Sequence, residues 1–388
     1  MTRVAFVAHD GLSTLNFARW FAQELRRRDD VVLHTISSRD LYAEELAALG
    51  TRHIDIGPGR FVEPLRDLAY FWALYRTFAR ERFDVVVTFG TKPNIYGPPA
   101  ARLAGIRRVV LAVRGLGRLF NPPAGARSRA LSWFVHRLYR AACGAADRVW
   151  FTSAHDRDYM IAARLVDPDR TFLTANSVDP AFFSAEQAAA SDLGALRAEL
   201  GFAPGDLVVI MVARLVWLKG IAEFVEAAAI LRAARPDVRF LLVAPREDGA
   251  SDAVPVEYVA RAQQAGRIAW VEFRKDVRAL YQLADIAVLP SYYKEGGYPR
   301  ALLEPMALGK PVIAADTPEC RGPVEPGRNG FLVPPRDAAA LAARIAQLVE
   351  QPDLRRRFGL RSREIVLERF ADAIVGRQVL AELGVAAA

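Results

Sequence analysis

Two glutamates, Glu295 and Glu304, bracket the segment with the clearest chemistry in this chain. From Lys294 to Glu304 it reads Lys-Glu-Gly-Gly-Tyr-Pro-Arg-Ala-Leu-Leu-Glu. A short apolar run, Ile286–Leu289, precedes it and reads as a buried parallel strand. A helical pattern through Leu302, Leu303, Met306 and Leu308 follows. Ligands of open α/β sheets bind at the C-terminal ends of strands. A helix start there offers unpaired N–H groups and a positive dipole end to an anion. Carboxylates for hydroxyls and a helix end for a diphosphate are what a nucleotide sugar requires. Glu295 and Glu304 also read as an acid/base pair of the glycosidase kind, or as separate grips on sugar hydroxyls and a ribose.

Two cations occupy a similar junction. Arg214 and Lys219 follow the apolar run Val208–Val212, just before a helical pattern that begins near Ile221. An arginine fork and a lysine point charge can neutralise a departing diphosphate, although two solvated loop cations would read the same. At the other end of the chain, His9-Asp10-Gly11-Leu12-Ser13 links the first strand to the first helix with a single glycine. That falls short of the dinucleotide fingerprint and argues against a redox cofactor. His9 and His155 sit at strand ends and His136 on a helix, without ligand spacing. Asp156-Arg157-Asp158 has the look of a metal-binding pair, but Asp167-Pro168-Asp169 shows how cheaply such pairs arise, and no metal is expected. Cys143 and Cys320 give no disulfide framework.

Elements that could position these residues alternate along the whole chain. Strands are predicted at Val4–Ala8, Val31–Ile36, His53–Ile56, Asp84–Thr88, Val109–Val113, Val149–Thr152 and Thr171–Ala175. A second set runs Val208–Val212, Phe240–Val243, Ile268–Glu272, Ile286–Leu289, Pro311–Ala314 and Gly330–Val333. Helical patterns separate them, which predicts parallel sheets with crossover helices. A chain of 388 residues suits two domains. We expect a first Rossmann-like domain over 1–182, a connector over 183–204, a second Rossmann-like domain over 205–365, and a helical tail over 366–388 that packs back toward the first domain. The fold class expected is α/β: two facing, doubly wound domains with a cleft between them.

Charge is unevenly spread. The formal net charge is +8, and Val85 to Ala146 holds ten Lys or Arg and no acid. Leu119, Phe120, Trp133, Phe134, Leu138 and Tyr139 are interleaved with Arg127, Arg129, Arg137 and Arg140. Such a surface suits an anionic membrane or a phosphate-bearing acceptor. Leu131, Phe134, Val135 and Leu138 also have core-stripe spacing. No recognition motif points to nucleic acid. No apolar run is long enough to span a membrane, and the N-terminus enters a strand without a leader pattern. The expectation is a cytoplasmic protein, peripheral at the inner face of the plasma membrane.

Several segments together resemble a known family. Arg214…Lys219-Gly220, Glu295-Gly296…Glu304-Pro305-Met306-Ala307 and Cys320-Arg321…Asn329-Gly330-Phe331-Leu332-Val333-Pro334 resemble the family-4 glycosyltransferases, which have the GT-B fold. Ser13-Thr14-Leu15-Asn16-Phe17, Lys92-Pro93-Asn94-Ile95-Tyr96-Gly97, Gly115-Leu116-Gly117…Phe120 and Ser177-Val178-Asp179 are similar as well. The Lys92–Gly97 and Gly115–Gly117 segments look most like the branch acting on polyprenyl-diphosphate-linked sugars in capsule, O-antigen and glycoprotein glycan assembly.

The resemblance implies a retaining, metal-independent hexosyl transfer without a cofactor, from a nucleoside-diphosphate sugar. UDP-hexose or UDP-N-acetylhexosamine is the donor expected, and a lipid-linked or glycan acceptor. It implies catalytic roles for Arg214, Lys219 and Glu295. Donor contacts would come from these three with Arg274, Gly296, Gly297, Tyr298 and Glu304. The acceptor side would hold His9, Gly11, Ser13, Lys92, Asn94, Arg114 and Gly115. The chain departs from the family in three places. Glu295 and Glu304 stand one residue farther apart than usual, Ala244-Pro245 replaces a common glycine after the second strand of the second domain, and the first loop has one glycine where two are common. A sugar-nucleotide epimerase or hydrolase of the same fold, or a degenerate scaffold subunit, stands as the alternative.

Overall fold

The computed structural model describes residues 1–25, 30–40, 42–59, 63–116, 120, 126–184, 186, 192–247 and 250–385. The chain divides into two compact units. One is Met1–Ala175 with Ala373–Ala388, and the other is Asn176–Asp372. The first unit holds β1 (Thr2–Val7), β2 (Val31–Ser37), β3 (Arg52–Asp55), β4 (Val85–Phe89), β5 (Arg108–Val113), β6 (Arg148–Phe151) and β7 (Thr171–Leu173). The second holds β8 (Leu207–Val212), β9 (Val238–Val243), β10 (Ala269–Val271), β11 (Ile286–Leu289), β12 (Val312–Ala315) and β13 (Gly330–Val333). Every pairing in both sheets is parallel. The strands are Val- and Ile-rich and their central members are buried at nearly every position. Helices therefore cover both faces, as parallel sheets demand.

The strand orders are β3-β2-β1-β4-β5-β6-β7 and β10-β9-β8-β11-β12-β13. In each sheet the order turns at one seam, β1/β4 and β8/β11. Successive crossovers leave in opposite directions there, so the loops diverge and open a crevice at the C-terminal strand ends. The loop carrying His9 and the helix start carrying Lys92 flank the first seam. The loops carrying Lys219 and Glu295 flank the second.

The sequence reading placed the connector at 183–204, whereas the division falls at Ala175/Asn176. Residues after it belong to the second unit through contacts such as the Arg278 guanidinium, 4.4 Å from the Phe182 ring. The helix Leu193–Glu199 begins on an Asp192 cap, whose carboxylate accepts from the Ala195 N–H at 2.9 Å. Farther on, the helix Asp372–Leu383 belongs to the first unit from Ala373 onward: Val375, Val379, Leu380 and Leu383 join Val4, Phe6 and Phe21 in one core. Arg148 Nε donates to Glu382 Oε2 at 2.9 Å and secures that helix.

The basic segment is part surface and part core. Phe120 and Tyr139 are buried, packed edge to face against each other, because the helix Ala126–Ala145 lays its Val135–Tyr139–Ala142 face on the sheet. These two rings therefore leave the expected aromatic surface. Trp133 and Phe134 stand outside at 65% and 53% exposure, with the Arg137 guanidinium 5.7 Å from the Trp133 ring. Phe134 thus drops out of the core stripe. Gly117 and Leu119 lie outside the described residues, as do the side chains of Asn16, Phe17, Arg127, Arg129 and Leu131. No helix among the described residues is long and apolar enough to cross a membrane.

Candidate functional site

In the second unit two loops meet at the β8/β11 seam. After β8 the chain passes Arg214, makes a short 3₁₀ turn over Trp217–Lys219, and starts the helix Ile221–Arg232 from Gly220. Gly220 has φ 83°, and a Cβ there would overlap the carbonyl oxygen of Pro290 just past β11. Only glycine lets these backbones approach so closely. The contact is stitched by the Tyr292 N–H donating to the Leu218 carbonyl at 3.0 Å.

That approach sets the side chains. Lys219 Nζ donates to Glu295 Oε1, and Ser291 Oγ donates to the same oxygen at 3.1 Å. The pair is mostly enclosed, with side-chain exposures of 11% and 14%. Glu295 Oε2 has no hydrogen-bond partner among the described residues. Tyr293 lies beside both cations, its ring centre 4.9 Å from Lys219 Nζ and 5.2 Å from the Arg214 guanidinium. Cation–π attraction at such distances is worth about 0.5–2 kcal/mol and holds two like charges near one spot. Arg214 is the more open cation, with Glu247 Oε1 only at 3.9 Å. The arrangement gathers two cations and one carboxylate with an uncommitted oxygen at the β8/β11 seam, groups suited to a diphosphate joined to a polyol.

Glu304 lies on the helix Arg300–Ala307. Arg300 Nε donates to its Oε1 at 3.0 Å, and the Tyr281 hydroxyl faces the same carboxyl. Burial pushes the Glu304 carboxyl above its ordinary value, and Arg300 opposes that rise. Gly296 and Gly297 form the loop between Glu295 and this helix; Gly297 takes φ 121°. Tyr298 is committed to packing: its ring meets Phe370 edge to face at 5.5 Å, and its carbonyl accepts from Asn176 Nδ2 at 2.8 Å. Arg274, expected among the donor contacts, is engaged by carboxylates of its own unit. Its fork takes Asp276 at 2.8 and 2.6 Å and also reaches Glu199, bracing the end of the helix Leu193–Glu199 against the helix Val277–Leu283.

In the first unit the start of the helix Gly11–Leu25 is already occupied by carboxylates. The Ser13 N–H donates to Asp10 Oδ1 at 2.7 Å and the Gly11 N–H to Asp40 Oδ2 at 2.8 Å. His9 stands beside Asp10 at 3.8 Å, about half exposed. Of the residues expected on the acceptor side, Asn94 forms a structural tie. It is buried, accepts from Thr88 Oγ1 at 2.8 Å and donates to the Ala112 carbonyl at 2.8 Å, joining β4 to β5. Lys92 is ion-paired with the buried Asp67 rather than free. Arg114 and Gly115 follow β5 at its C-terminal end, Arg114 half-buried and Gly115 exposed.

Sequence reasoning missed Tyr293, Ser291, Asp40 and Asp67. Tyr293 and Ser291 sit inside the segment leading to Glu295, where a hydroxyl and a ring next to a key carboxylate were a usable signal. Asp40 and Asp67 are 29 and 25 residues from their partners, and no local pattern announces such pairs. Among the described residues no group of three His, Cys, Asp or Glu side chains could hold a metal ion.

Comparison with known proteins adds two kinds of finding. A glycosyl transferase 4-like domain matches residues 15–177, and a glycosyl transferases group 1 domain matches 194–365. The N,N'-diacetylbacillosaminyl-diphospho-undecaprenol alpha-1,3-N-acetylgalactosaminyltransferase of Campylobacter jejuni is 27% identical over 91% of each chain. The UDP-Gal:alpha-D-GlcNAc-diphosphoundecaprenol alpha-1,3-galactosyltransferase of Escherichia coli is 28% identical over 71% of this chain and 68% of its own. The crystal structure of Anabaena HepE in complex with UDP and glucose superposes with a TM-score of 0.79 over 99% of this chain and 100% of that one, at 21% identity. That last likeness speaks for the fold.

Proposed function

This chain belongs to the glycosyltransferases that join a 4-like domain to a group 1 domain, a GT-B enzyme, and from that premise we propose that it moves a hexosyl or N-acetylhexosaminyl unit from a UDP-sugar to a polyprenyl-diphosphate-linked sugar. The observation that carries the reading is the Lys219–Glu295 pair at the β8/β11 seam with Arg214 beside it. The two relatives that act on undecaprenyl-diphosphate sugars support the acceptor class. UDP is supported by the Escherichia coli relative's donor.

Chemically, the bond from the sugar's anomeric carbon to the β-phosphate oxygen breaks and a bond to an acceptor hydroxyl forms. The acceptor's proton passes to the departing phosphate oxygen, so retention at one centre needs no enzyme nucleophile. Negative charge grows on the diphosphate as this happens. Lys219 and Arg214 stand preorganised for it, and fixed charges of this kind are the strongest form of transition-state stabilisation. Two cations in that role also supply the neutralisation a metal ion would otherwise bring. Glu295 holds donor-sugar hydroxyls through Oε2 and Glu304 the ribose. His9 and Arg114 are the first unit's candidates toward the acceptor. Trp133, Phe134, Arg137 and Arg140 form the face proposed to rest on an anionic membrane. Charge reversal at Arg137 and Arg140 should release the protein from anionic vesicles in a co-sedimentation assay, and unchanged sedimentation would remove that part.

Mass spectrometry of the purified protein with UDP-, GDP-, ADP- and dTDP-sugars tests the reading. Each donor is offered with and without a synthetic polyprenyl-diphosphate sugar, in EDTA. The expected result is one sugar added to the lipid acceptor, from a UDP donor, with EDTA present. Epimerised or hydrolysed nucleotide sugar, formed equally without acceptor, would replace the proposal with the epimerase or hydrolase reading.

A further inference from the structure

The second sheet has another end, far from Lys219. At the N-terminal ends of β9 and β10 a cavity of about 310 Å³ is lined by Phe202, Phe240 and Ile268 and by Arg232, Arg239 and Arg267. It is a separate place from the β8/β11 seam. Gly220 begins the helix Ile221–Arg232 and Arg232 ends it; a helix of 12 residues spans about 18 Å.

The three arginines are set in different ways. Arg239 is anchored through Nε to Asp206 Oδ2 at 2.6 Å, and its terminal nitrogens have no partner among the described residues. Arg232 donates through Nη1 to the Ala265 carbonyl. It lies over Gly266, whose φ is 64° and where a Cβ would come within 2.7 Å of Arg232 Nη1. Arg267 is exposed, and its guanidinium makes no hydrogen bond or ion pair among the described residues; only its backbone N–H is engaged, donating to the Ala262 carbonyl at 2.9 Å. Asp237, close by in sequence, is already held by Arg235 at 2.9 and 2.6 Å. Three guanidiniums against the Asp206 carboxylate leave a net +2 at the cavity.

A dianion matches that surplus. A phosphate monoester carries about −1.5 to −2 at neutral pH, and arginine forks suit its planar pairs of oxygens better than point charges do. The volume stands at the small end of ligand cavities, about 300–1,000 Å³. Phe202, Phe240 and Ile268 in its lining suit the carbon body of a small ester. We propose that this cavity is a second ligand site, taking a small-molecule phosphate monoester. The site is independent of the nucleotide-sugar crevice.

Isothermal titration of the full chain with glucose 1-phosphate tests this, with glucose as the uncharged control. The wild-type protein should bind glucose 1-phosphate and not glucose. Arg267→Ala removes a side chain that supports nothing in the fold, and should weaken binding by about tenfold or more; Arg267→Glu should weaken it further. Lys219→Met, which damages only the nucleotide-sugar crevice, should leave the affinity unchanged. Equal affinity in wild type and Arg267→Ala would overturn the proposal. So would loss of binding in Lys219→Met, or no heat with wild-type protein at millimolar ligand. Failure of the glycosyltransferase reading would leave these arms untouched.

Discussion

Lys219→Met is expected to lower the rate of sugar transfer by about 10²–10³-fold, the usual cost of removing one preorganised donor from a developing anion. Methionine keeps the length and apolar body of the side chain, so the enclosed position by Tyr293 is refilled and the fold is kept. What is lost is the charge beside the departing diphosphate, and with it the partner of Glu295. The loss should fall on kcat more than on KM, because the charge it answers grows during bond breaking. Steady-state kinetics with the donor identified by mass spectrometry reads the split. A change confined to KM would assign Lys219 to ground-state binding, and an unchanged rate would move the chemistry away from the β8/β11 seam.

Gly220→Ala is the second large effect, and it acts through the backbone. A methyl group there meets the Pro290 carbonyl while the residue is held at φ 83°. The left-handed conformation alone costs a non-glycine residue about 1–2 kcal/mol. The overlap adds the displacement of one catalytic loop from the other. Gly201→Ala is the matched control: its φ is 71° but nothing lies within 4 Å of the added methyl. Gly201→Ala should therefore lower the unfolding midpoint slightly and leave turnover alone. Gly220→Ala should lower the midpoint by several degrees more and cut turnover about tenfold or beyond, since displacement of a catalytic group by an ångström is costly. Equal effects of the two substitutions would mean that the close approach to Pro290 contributes nothing.

How far the sequence carried the reader depends on range. The strands from β1 to β13 were legible as short β-branched runs because parallel strands buried on both faces leave so little room for polar residues. Strand order was not legible, yet it is order that puts β8 beside β11 and so brings Lys219 to Glu295. Glycine at 220 carried the clue to that contact. Lys92 and Asn94 show what local sequence leaves out. The resemblance implied acceptor contacts for them, while their partners inside the fold, Asp67 and the Ala112 carbonyl, are both distant in sequence. Arg274 likewise has distant and local partners, Glu199 and Asp276, that no sequence pattern announced. Phe120 and Tyr139 looked like surface because every charged residue from Val85 to Ala146 is basic, although the helical spacing of Val135 and Tyr139 already pointed inward.

The claim at the centre of this account is that Arg214 and Lys219 hold the donor's diphosphate at the β8/β11 seam. Titrating UDP into wild-type protein, Arg214→Ala, Lys219→Met and the remote Arg267→Ala measures it most directly. UDP affinity should fall about tenfold or more in each of the first two variants, the value of a charge-assisted hydrogen bond to phosphate, and stay at the wild-type value in Arg267→Ala. Wild-type UDP affinity in both Arg214→Ala and Lys219→Met would contradict it.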